Sequence, residues 1–170
     1  MNVARLKRPL TCPTMSEFKL ALDPINDIAR VTPGFIWMYD GETNCVKEIQ
    51  EDPLLMPQMS MWKDLASLRH FVFKSGHGMY FRRRREWFEQ PKVSNDKYAS
   101  DNVLWWHESY TLKPWNTCTN DKKLLYSDPP TLQHAFYRLD SLRKKGPSEF
   151  AFDLANSTLY CEAYPENSMK

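Results

Sequence analysis

The stretch at residues 59–88 constrains the fold most, because it joins a short strand pattern, a helix and a run of arginines. Residues 59–62 read as a strand, and Asp64 is suited to cap the helix that follows. Apolar residues then recur at helical spacing until Gly76-His77-Gly78, where we expect the helix to loosen and leave a histidine at the break. Four consecutive arginines follow at residues 82–85. The stretch therefore predicts a strand–helix unit whose broken end carries charged and titratable side chains.

Strand and helix patterns alternate along the rest of the chain. Pro24 lies inside the first helical pattern, so we expect a kink there or a short second helix that begins at Asp23. Strands are predicted at residues 2–6, 35–39, 103–107 and 150–152, with a hairpin partner at 46–50. Helices are predicted from Thr14 or Ser16 to about Arg30 and after Thr131, and loops at residues 53–57 and 91–102, the latter as an exposed insertion.

The resulting order is β-α-β-(β)-β-α-β-α-β, with turns short enough for antiparallel pairing. It predicts an α+β fold, a ferredoxin-like antiparallel sheet with helices on one face. One domain is expected at residues 1–155, followed by a weakly ordered tail at 156–170. The second face of the sheet would remain apolar and uncovered, which predicts a homodimer packed sheet to sheet.

Composition argues against several classes of partner. The formal net charge of +2 is close to neutral, whereas nucleic-acid binders usually show a broader basic bias. No apolar run reaches the ~18–20 residues of a membrane span, and the first residues lack a secretory signal pattern, so a soluble cytoplasmic protein is expected. The four cysteines show no C-x-x-C spacing, and a metal site would require His77 and His107 to meet in space. We therefore expect no metal, no nucleic acid and no membrane.

His77 is the first candidate catalytic residue. A histidine flanked by glycines at a helix end can act as a general acid or base near neutral pH. The alternative is a histidine that caps helical carbonyls and stabilises the turn.

Arg5 and Arg84 complete the candidate catalytic set. Arg5 lies in a half-buried strand and needs a partner, for which Asp23, Glu86 or a ligand anion are the options considered. Most of residues 82–85 are expected to be solvated or to pair with carboxylates, since Glu86 and Glu89 follow Arg82 and Arg85 by four residues. Arg83 or Arg84 is the arginine expected to turn inward and grip a ligand carboxylate.

Aromatic residues are abundant, with six Trp, eight Tyr and nine Phe, and such rings line pockets for flat apolar ligands as well as filling cores. For any single ring, core packing is the simpler alternative. The candidate substrate-binding residues are Asn26, Trp37, Tyr39, Ser60, Trp62, Tyr80, Arg83, Trp87, Trp105 and His107.

Several motifs resemble one known family. They are N-x-A-R-L-K-x-P-L at residues 2–10, L-D-P-I-N at 22–26, P-G-F-x-W at 33–37, S-x-W at 60–62, L-R-x-F-V-x-x-S-x-H at 68–77, R-R-R-E-W-F at 83–88, L-W-W at 104–106 and R-L-x-x-L-R-x-x-G-P at 138–147. The family is a domain of unknown function within the dimeric α/β-barrel superfamily, alongside the antibiotic-biosynthesis monooxygenases. The resemblance implies a ferredoxin-like protomer, dimerisation through the sheet, and a pocket between sheet and helices.

The superfamily includes cofactor-free oxygenases, isomerases, cyclases and haem enzymes, so the resemblance leaves the reaction open. The leading hypothesis is a cofactor-independent enzyme of secondary metabolism that isomerises or cyclises a hydrophobic natural-product-like substrate, including by Diels–Alder-type ring closure. Such chemistry needs shape, orientation and a polarising hydrogen bond. The alternatives are a cofactor-free or haem-dependent monooxygenase and a non-catalytic small-molecule-binding protein.

Overall fold

The chain folds as a mixed α+β protein. The computed structural model describes residues 1–39, 41, 46–90, 100–105 and 130–157. Two short 3-10 helices, Pro13–Met15 and Arg84–Glu86, accompany the main elements. The main elements are β1 (Asn2–Arg5), α1 (Ser16–Val31), β2 (Phe35–Met38), α2 (Lys47–Glu51), β3 (Leu55–Gln58), β4 (Ser60–Trp62), α3 (Leu65–Lys74), α4 (His77–Arg83), β5 (Ser100–Asn102) and α5 (Leu132–Lys145).

The described strands form two small antiparallel sheets instead of the single sheet that the sequence predicts. In the first, β1 lies between β3 and β5, with Ala4 opposite Met56 on one side and Ser100 on the other. The second sheet pairs β2 with β4. The expectation of antiparallel pairing in an α+β fold is therefore confirmed, whereas the described strands do not form one continuous sheet.

A bulge in β2 decides which side chains face the helices. Phe35 lies opposite Trp62, whereas Trp37 lies opposite Met61, so the register shifts between Phe35 and Trp37. Neighbouring residues of β4 point to opposite faces, and directly paired residues share a face. The extra residue, Ile36, therefore places Phe35 with Trp62 on one face and Trp37 with Met61 on the other.

Two apolar cores lie on opposite sides of β1. Val3 belongs to the first core together with the inward side of α5, and Leu6 belongs to the second core together with Phe18 of α1 and Trp87. The pairing of Val3 with Pro57 and of Ala4 with Met56 divides β3 between the two faces in the same way. This sheet is thus covered on both faces by its own chain, contrary to the uncovered face expected from the sequence.

The helix starts predicted from the sequence are confirmed at two caps. The Asp64 carboxylate accepts a hydrogen bond from the backbone N–H of Ser67 at 2.7 Å, and the Thr131 hydroxyl accepts one from the N–H of His134 at 3.2 Å. Each side chain satisfies a donor that the first helical turn leaves without an internal partner. α5 ends at Gly146, whose φ of 80° suits the position after a helix.

Residues 46–50, predicted as a hairpin strand, instead begin α2. The sequence Lys-Glu-Ile-Gln-Glu consists mainly of strong helix formers, and Lys47 pairs with Glu51 one turn later at 3.4 Å. Residues 53–57, predicted as a loop, contribute to β3. Pro57 is accommodated because β3 is an edge strand, where a missing N–H is tolerated.

Three further boundaries differ from the expectation. α1 is unbroken through Pro24, which is exposed, and the carbonyl of Leu20 that it leaves without a helical donor belongs to a residue on the solvent side. Residues 100–102, expected in an exposed insertion, form β5. Leu104 pairs with Phe152 and Ser148 with Ala151 as isolated bridges, so the strand predicted at 150–152 is reduced to bridges. The strand predicted at 103–107 is described only to residue 105, because residues 106 and 107 lie outside the described part of the chain.

Within the part of the chain that the structure describes, no helix combines the length and apolarity needed to cross a bilayer.

Candidate functional site

A row of aromatic rings, here called the aromatic row, extends from the β2–β4 sheet across α3 to α4. The ring of Phe35 meets Trp62 edge-on at 5.4 Å between centroids, and Trp62 stacks on Phe71 at 5.1 Å. Phe71 lies 4.7 Å from the imidazole of His77, which lies 6.1 Å from Phe81. A candidate substrate-binding residue and a candidate catalytic residue thus share one continuous apolar surface.

The aromatic row is a partly exposed surface and not a core. Each of its rings is only half-buried, and Phe73, which meets Phe81 edge-on at 5.7 Å, is 41% exposed. By contrast, Phe18 and Trp87 in the second core are 7% and 3% exposed. α3 contributes no fully buried residue. The row therefore leaves ring surface available to a ligand.

The Gly76 break between α3 and α4 positions His77 in this row. A Cβ on Gly76 would lie 2.8 Å from Cδ1 of Ile28 in α1, so glycine permits the close packing of the break against α1. Beyond the break, His77, Phe81 and Arg84 follow the spacing i, i+4, i+7. That spacing places His77 and Phe81 on one face of α4 and Arg84 on the same side, in the 3-10 helix that directly continues α4.

The hydrogen bond of His77 indicates its tautomer. Nδ1 lies 3.1 Å from the carbonyl oxygen of Val72. A carbonyl only accepts, so Nδ1 carries the proton in this contact and Nε2 of the neutral ring keeps its lone pair. Burial lowers the pKa of His77 below its usual value, and the hydrogen bond to Val72 opposes that effect. His77 is therefore neutral at pH 7, and its Nε2 has no partner among the described residues.

At the other end of the row, the indole Nε1–H of Trp62 donates to the Ser60 hydroxyl at 2.9 Å. Ser60 is paired with Met38 in the β2–β4 sheet, so its position is set by backbone hydrogen bonding. The structure thus brings together four of the sequence-predicted site residues, linked by Phe71 and Phe81: Ser60, Trp62, His77 and Arg84.

Arg84 lies over the last ring of the row. Its guanidinium carbon is 4.4 Å from the centroid of Phe81, and its Nη1 donates to the Phe81 carbonyl at 3.0 Å. Among the residues that the structure describes, no carboxylate lies within ion-pair distance of Arg84. A guanidinium has five N–H donors, so most of its hydrogen-bonding capacity is unused there.

Arg83 is satisfied within the protein. It donates two hydrogen bonds to the Glu17 carboxylate at 2.6 and 2.9 Å and pairs with Glu86 at 2.7 Å. Its guanidinium also lies 5.0 Å from the ring of Trp87. Glu86 and Glu17 raise the pKa of Arg83, and Arg83 lowers the pKa of both carboxylates. The bidentate grip anticipated for a ligand is made here with Glu17.

The pairs predicted from helical spacing, Arg82 with Glu86 and Arg85 with Glu89, are wrong. The 3-10 turn at Arg84–Glu86 changes the spacing, so that Glu86 pairs with Arg83 three residues earlier. Glu89 pairs with Arg5 of β1 instead.

Arg5 is also paired within the chain, but with partners other than those expected. Its Nε donates to Asp52 at 2.7 Å and its Nη1 to Glu89 at 2.8 Å, so the expected pairing with Asp23 or Glu86 is wrong. Hydrogen bonds from Arg5 to Asp52 and Glu89 raise its pKa. Arg5, Asp52 and Glu89 thus join β1 to the segment before β3 and to the segment after the 3-10 helix Arg84–Glu86. The geometry describes a structural ion pair.

The remaining candidates lie elsewhere. Trp87 is buried in the second core, and Tyr80 packs against it at 6.3 Å. Trp37, Tyr39 and Trp105 pack against the first core. Asn26 is half-buried on α1, and His107 lies outside the described residues. The candidate residues therefore do not converge on one pocket in the described structure.

A second polar–aromatic cluster surrounds Trp105. The guanidinium carbon of Arg138 lies 5.3 Å from the Trp105 ring and 4.2 Å from Phe150, and Arg138 donates to Nε2 of His134 at 3.1 Å. The Trp105 indole Nε1 is buried and has no hydrogen-bond partner in the described structure. The sequence reasoning missed His134 and Arg138, although their i, i+4 spacing on α5 marks them as neighbours.

Phe71 and Phe81 were also absent from the predicted site. Phe71 is one of the apolar residues that recur at helical spacing before Gly76, a pattern typical of a buried helix face, whereas the structure leaves its ring half-exposed. For Phe81 a signal existed, because it follows His77 by four residues and precedes Arg84 by three. As for metal sites, the described ranges contain no group of three His, Cys, Asp or Glu side chains arranged to hold an ion.

The fold and this surface define a mixed α+β protein in which a histidine lies within a partly exposed row of aromatic rings. Comparison with known proteins then identifies its family. The chain belongs to the family described as Domain of unknown function (DUF3291), whose match covers residues 1–119. The matched range contains both sheets and the whole aromatic row, while α5 lies beyond it. No curated protein and no solved structure matches the chain.

Proposed function

We propose that the protein is a small cofactor-independent enzyme that binds a hydrophobic, natural-product-like substrate and catalyses its isomerisation or cyclisation. One observation carries this proposal: a neutral histidine, whose Nε2 has no partner among the described residues, lies within a partly exposed row of aromatic rings. The rings provide a surface for a flat apolar molecule, and the imidazole provides a base next to it.

The reaction begins with a proton transfer. The Nε2 lone pair of His77 takes a proton from a carbon next to a carbonyl group, and the electrons of the broken C–H bond become those of an enolate. Return of the proton from Nε2 to a different carbon completes an isomerisation. Attack of the enolate carbon on a second carbonyl carbon of the same molecule closes a ring instead. The electrons of the broken C=O π bond then form an alkoxide, which takes the proton back from Nε2. In both cases the histidine ends in its initial protonation state, so no external oxidant or reductant is required.

The surroundings of His77 suit a base at neutral pH. Burial lowers its pKa, which keeps the unprotonated form populated at pH 7. The Val72 carbonyl fixes the ring so that Nδ1 carries the proton, and it stabilises the imidazolium formed when Nε2 accepts a second one. Positioned general bases typically contribute 10²–10⁴-fold to a rate.

The test is hydrogen–deuterium exchange in 2-tetralone, a bicyclic ketone whose activated carbon is the CH2 between its aromatic ring and its carbonyl, followed by proton NMR in D2O. The wild-type protein should accelerate exchange beyond an equal concentration of imidazole, and His77→Gln should reduce the protein-dependent rate at least tenfold. His70→Gln is the matched control, because His70 is exposed on α3 and touches none of the rings in the row. Equal rates for wild type and His77→Gln would exclude His77 as the base. Saturable binding of 2-tetralone without exchange would favour the non-catalytic binding protein.

The ferredoxin-like arrangement and the homodimer stay predictions of this proposal. The first is supported by the β1–α1–β2 and β4–α3 successions and by antiparallel pairing throughout the described strands. The homodimer was expected because one sheet face would be uncovered, but Ala4 and Leu6 on that side of β1 are 7% and 4% exposed, so the chain itself covers that face. Light scattering at micromolar concentration measures the oligomeric state directly.

A further inference from the structure

We infer that the substrate of this site is an aromatic or conjugated monocarboxylate whose carboxylate binds Arg84 while its flat body lies on the aromatic row. This inference rests on the proposed function and names the chemical class of its substrate. It concerns Arg84 at the charged end of the site, whereas the proton transfer takes place at His77.

The structure distinguishes Arg84 from the neighbouring arginine with which the sequence grouped it. The Arg83 guanidinium is occupied by the carboxylates of Glu17 and Glu86. Arg84 has no carboxylate partner among the described residues, and the hydrogen bond to the Phe81 carbonyl uses one of its five donors. A half-buried guanidinium with open donors is suited to a planar anion that accepts two parallel hydrogen bonds.

The chemistry around Arg84 favours a flat organic acid. The Phe81 ring packs against one side of the Arg84 guanidinium, with 4.4 Å between its centroid and the guanidinium carbon, and the same ring contacts His77. An anion bound to Arg84 would therefore lie next to aromatic surface. Such a surface favours a ligand with one charged group and an apolar body, because desolvating the body contributes favourably to binding. A multiply charged phosphate would gain one guanidinium and lose far more hydration.

The spacing of the two ends limits the size of the ligand. His77 and Arg84 are seven residues apart along one helical face, which places them about 10 Å apart along the helix axis. A carboxylate bound at Arg84 therefore leaves room for about two fused rings before the ligand reaches Nε2 of His77. The reacting carbon is accordingly expected at the end of the molecule remote from the carboxylate.

The experiment compares 2-naphthoate with the neutral 2-naphthalenemethanol, titrated into the full-length protein and followed by calorimetry at low ionic strength. Wild type should bind the naphthoate at least tenfold more tightly than the alcohol. Arg84→Gln should weaken naphthoate binding at least fivefold and change binding of the alcohol less than twofold. Arg85→Gln removes the same charge from an exposed neighbouring position and serves as the control, in which the preference for naphthoate is retained.

The other outcomes separate this inference from the function that it refines. Equal affinity of wild type for the two naphthyl compounds would overturn the carboxylate assignment while leaving the aromatic site and its base intact. Equal weakening by Arg84→Gln and Arg85→Gln would reduce the effect to general charge and also overturn it. If neither compound binds at millimolar concentration, both the inference and the proposed binding surface fail.

Discussion

Substituting Gly34 by alanine tests the turn that holds β2 against the start of α3. Gly34 has a φ of 86°, in the left-handed region where a side chain is disfavoured by about 1–2 kcal/mol. A Cβ at this position would lie 2.1 Å from Oγ and 2.6 Å from Cβ of Ser67. Rotating the Ser67 side chain relieves the first overlap but not the second, so the backbone of α3 must shift. Overpacking of this kind costs about 1–3 kcal/mol.

The sum of the two effects predicts that Gly34→Ala lowers the free energy of unfolding by about 2–5 kcal/mol. Urea denaturation monitored by far-ultraviolet circular dichroism at pH 7 measures this loss. Gly41→Ala is the matched control, because Gly41 has a similar φ of 88° but no atom of the described residues lies within 4 Å of the added Cβ. It should show only the backbone part of the effect.

A double variant separates the steric part from the backbone part. In Gly34→Ala/Ser67→Gly, the nearest remaining atom is Cβ of Lys63 at 3.6 Å, an ordinary contact. The double variant should therefore recover the overpacking loss, less about 0.5 kcal/mol for replacing serine by glycine in α3. If Gly34→Ala is no more destabilising than Gly41→Ala, Ser67 does not pack against the turn and the reasoning is wrong.

Two further predictions concern the second core and the site histidine. Trp87→Ala should lower the free energy of unfolding by about 3–5 kcal/mol, whereas Tyr137→Ala, at a side chain 64% exposed, should change it by no more than about 0.5 kcal/mol in the same urea assay. His77 has a folded-state pKa below its unfolded value of about 6.5, so the unfolded chain binds more protons in that interval. Stability should consequently fall as the pH is lowered from about 6.5 through the folded pKa, and His77→Gln should remove that part of the pH dependence. An unchanged pH profile in His77→Gln would contradict the burial of its ring.

Local signals in the sequence were sufficient for the helices with strong caps. Asp64 and Thr131 start helices as predicted, because a cap depends on residues within one turn of itself. The break at Gly76 was equally visible, and His77 begins the helix that follows it.

The sheet was less predictable, because its partners are distant in sequence and its strands short. β5 reads Ser-Asp-Asn and carries no apolar alternation, so only its pairing with Asn2–Arg5 makes it a strand. β3 includes Pro57, which favours a loop reading until its edge position is known. Both β3 and β5 form through pairing with β1, which is distant in sequence, and no local sequence pattern shows that pairing.

The candidate site shows the same division between local and distant information. Helical spacing alone places Arg84 on the same side as Phe81 and His77, so this part of the site could be predicted from the sequence. The separation of Arg83 from Arg84 was not, because it depends on Glu17 in α1, which is 66 residues away. Once Glu17 and Glu86 occupy Arg83, the positive charge at the end of the aromatic row belongs to Arg84. Adjacent residues in the run of four arginines therefore have different roles. Arg83 joins α1 to the end of α4 through Glu17, whereas Arg84 lies against the Phe81 ring, and most of its N–H donors have no partner among the described residues.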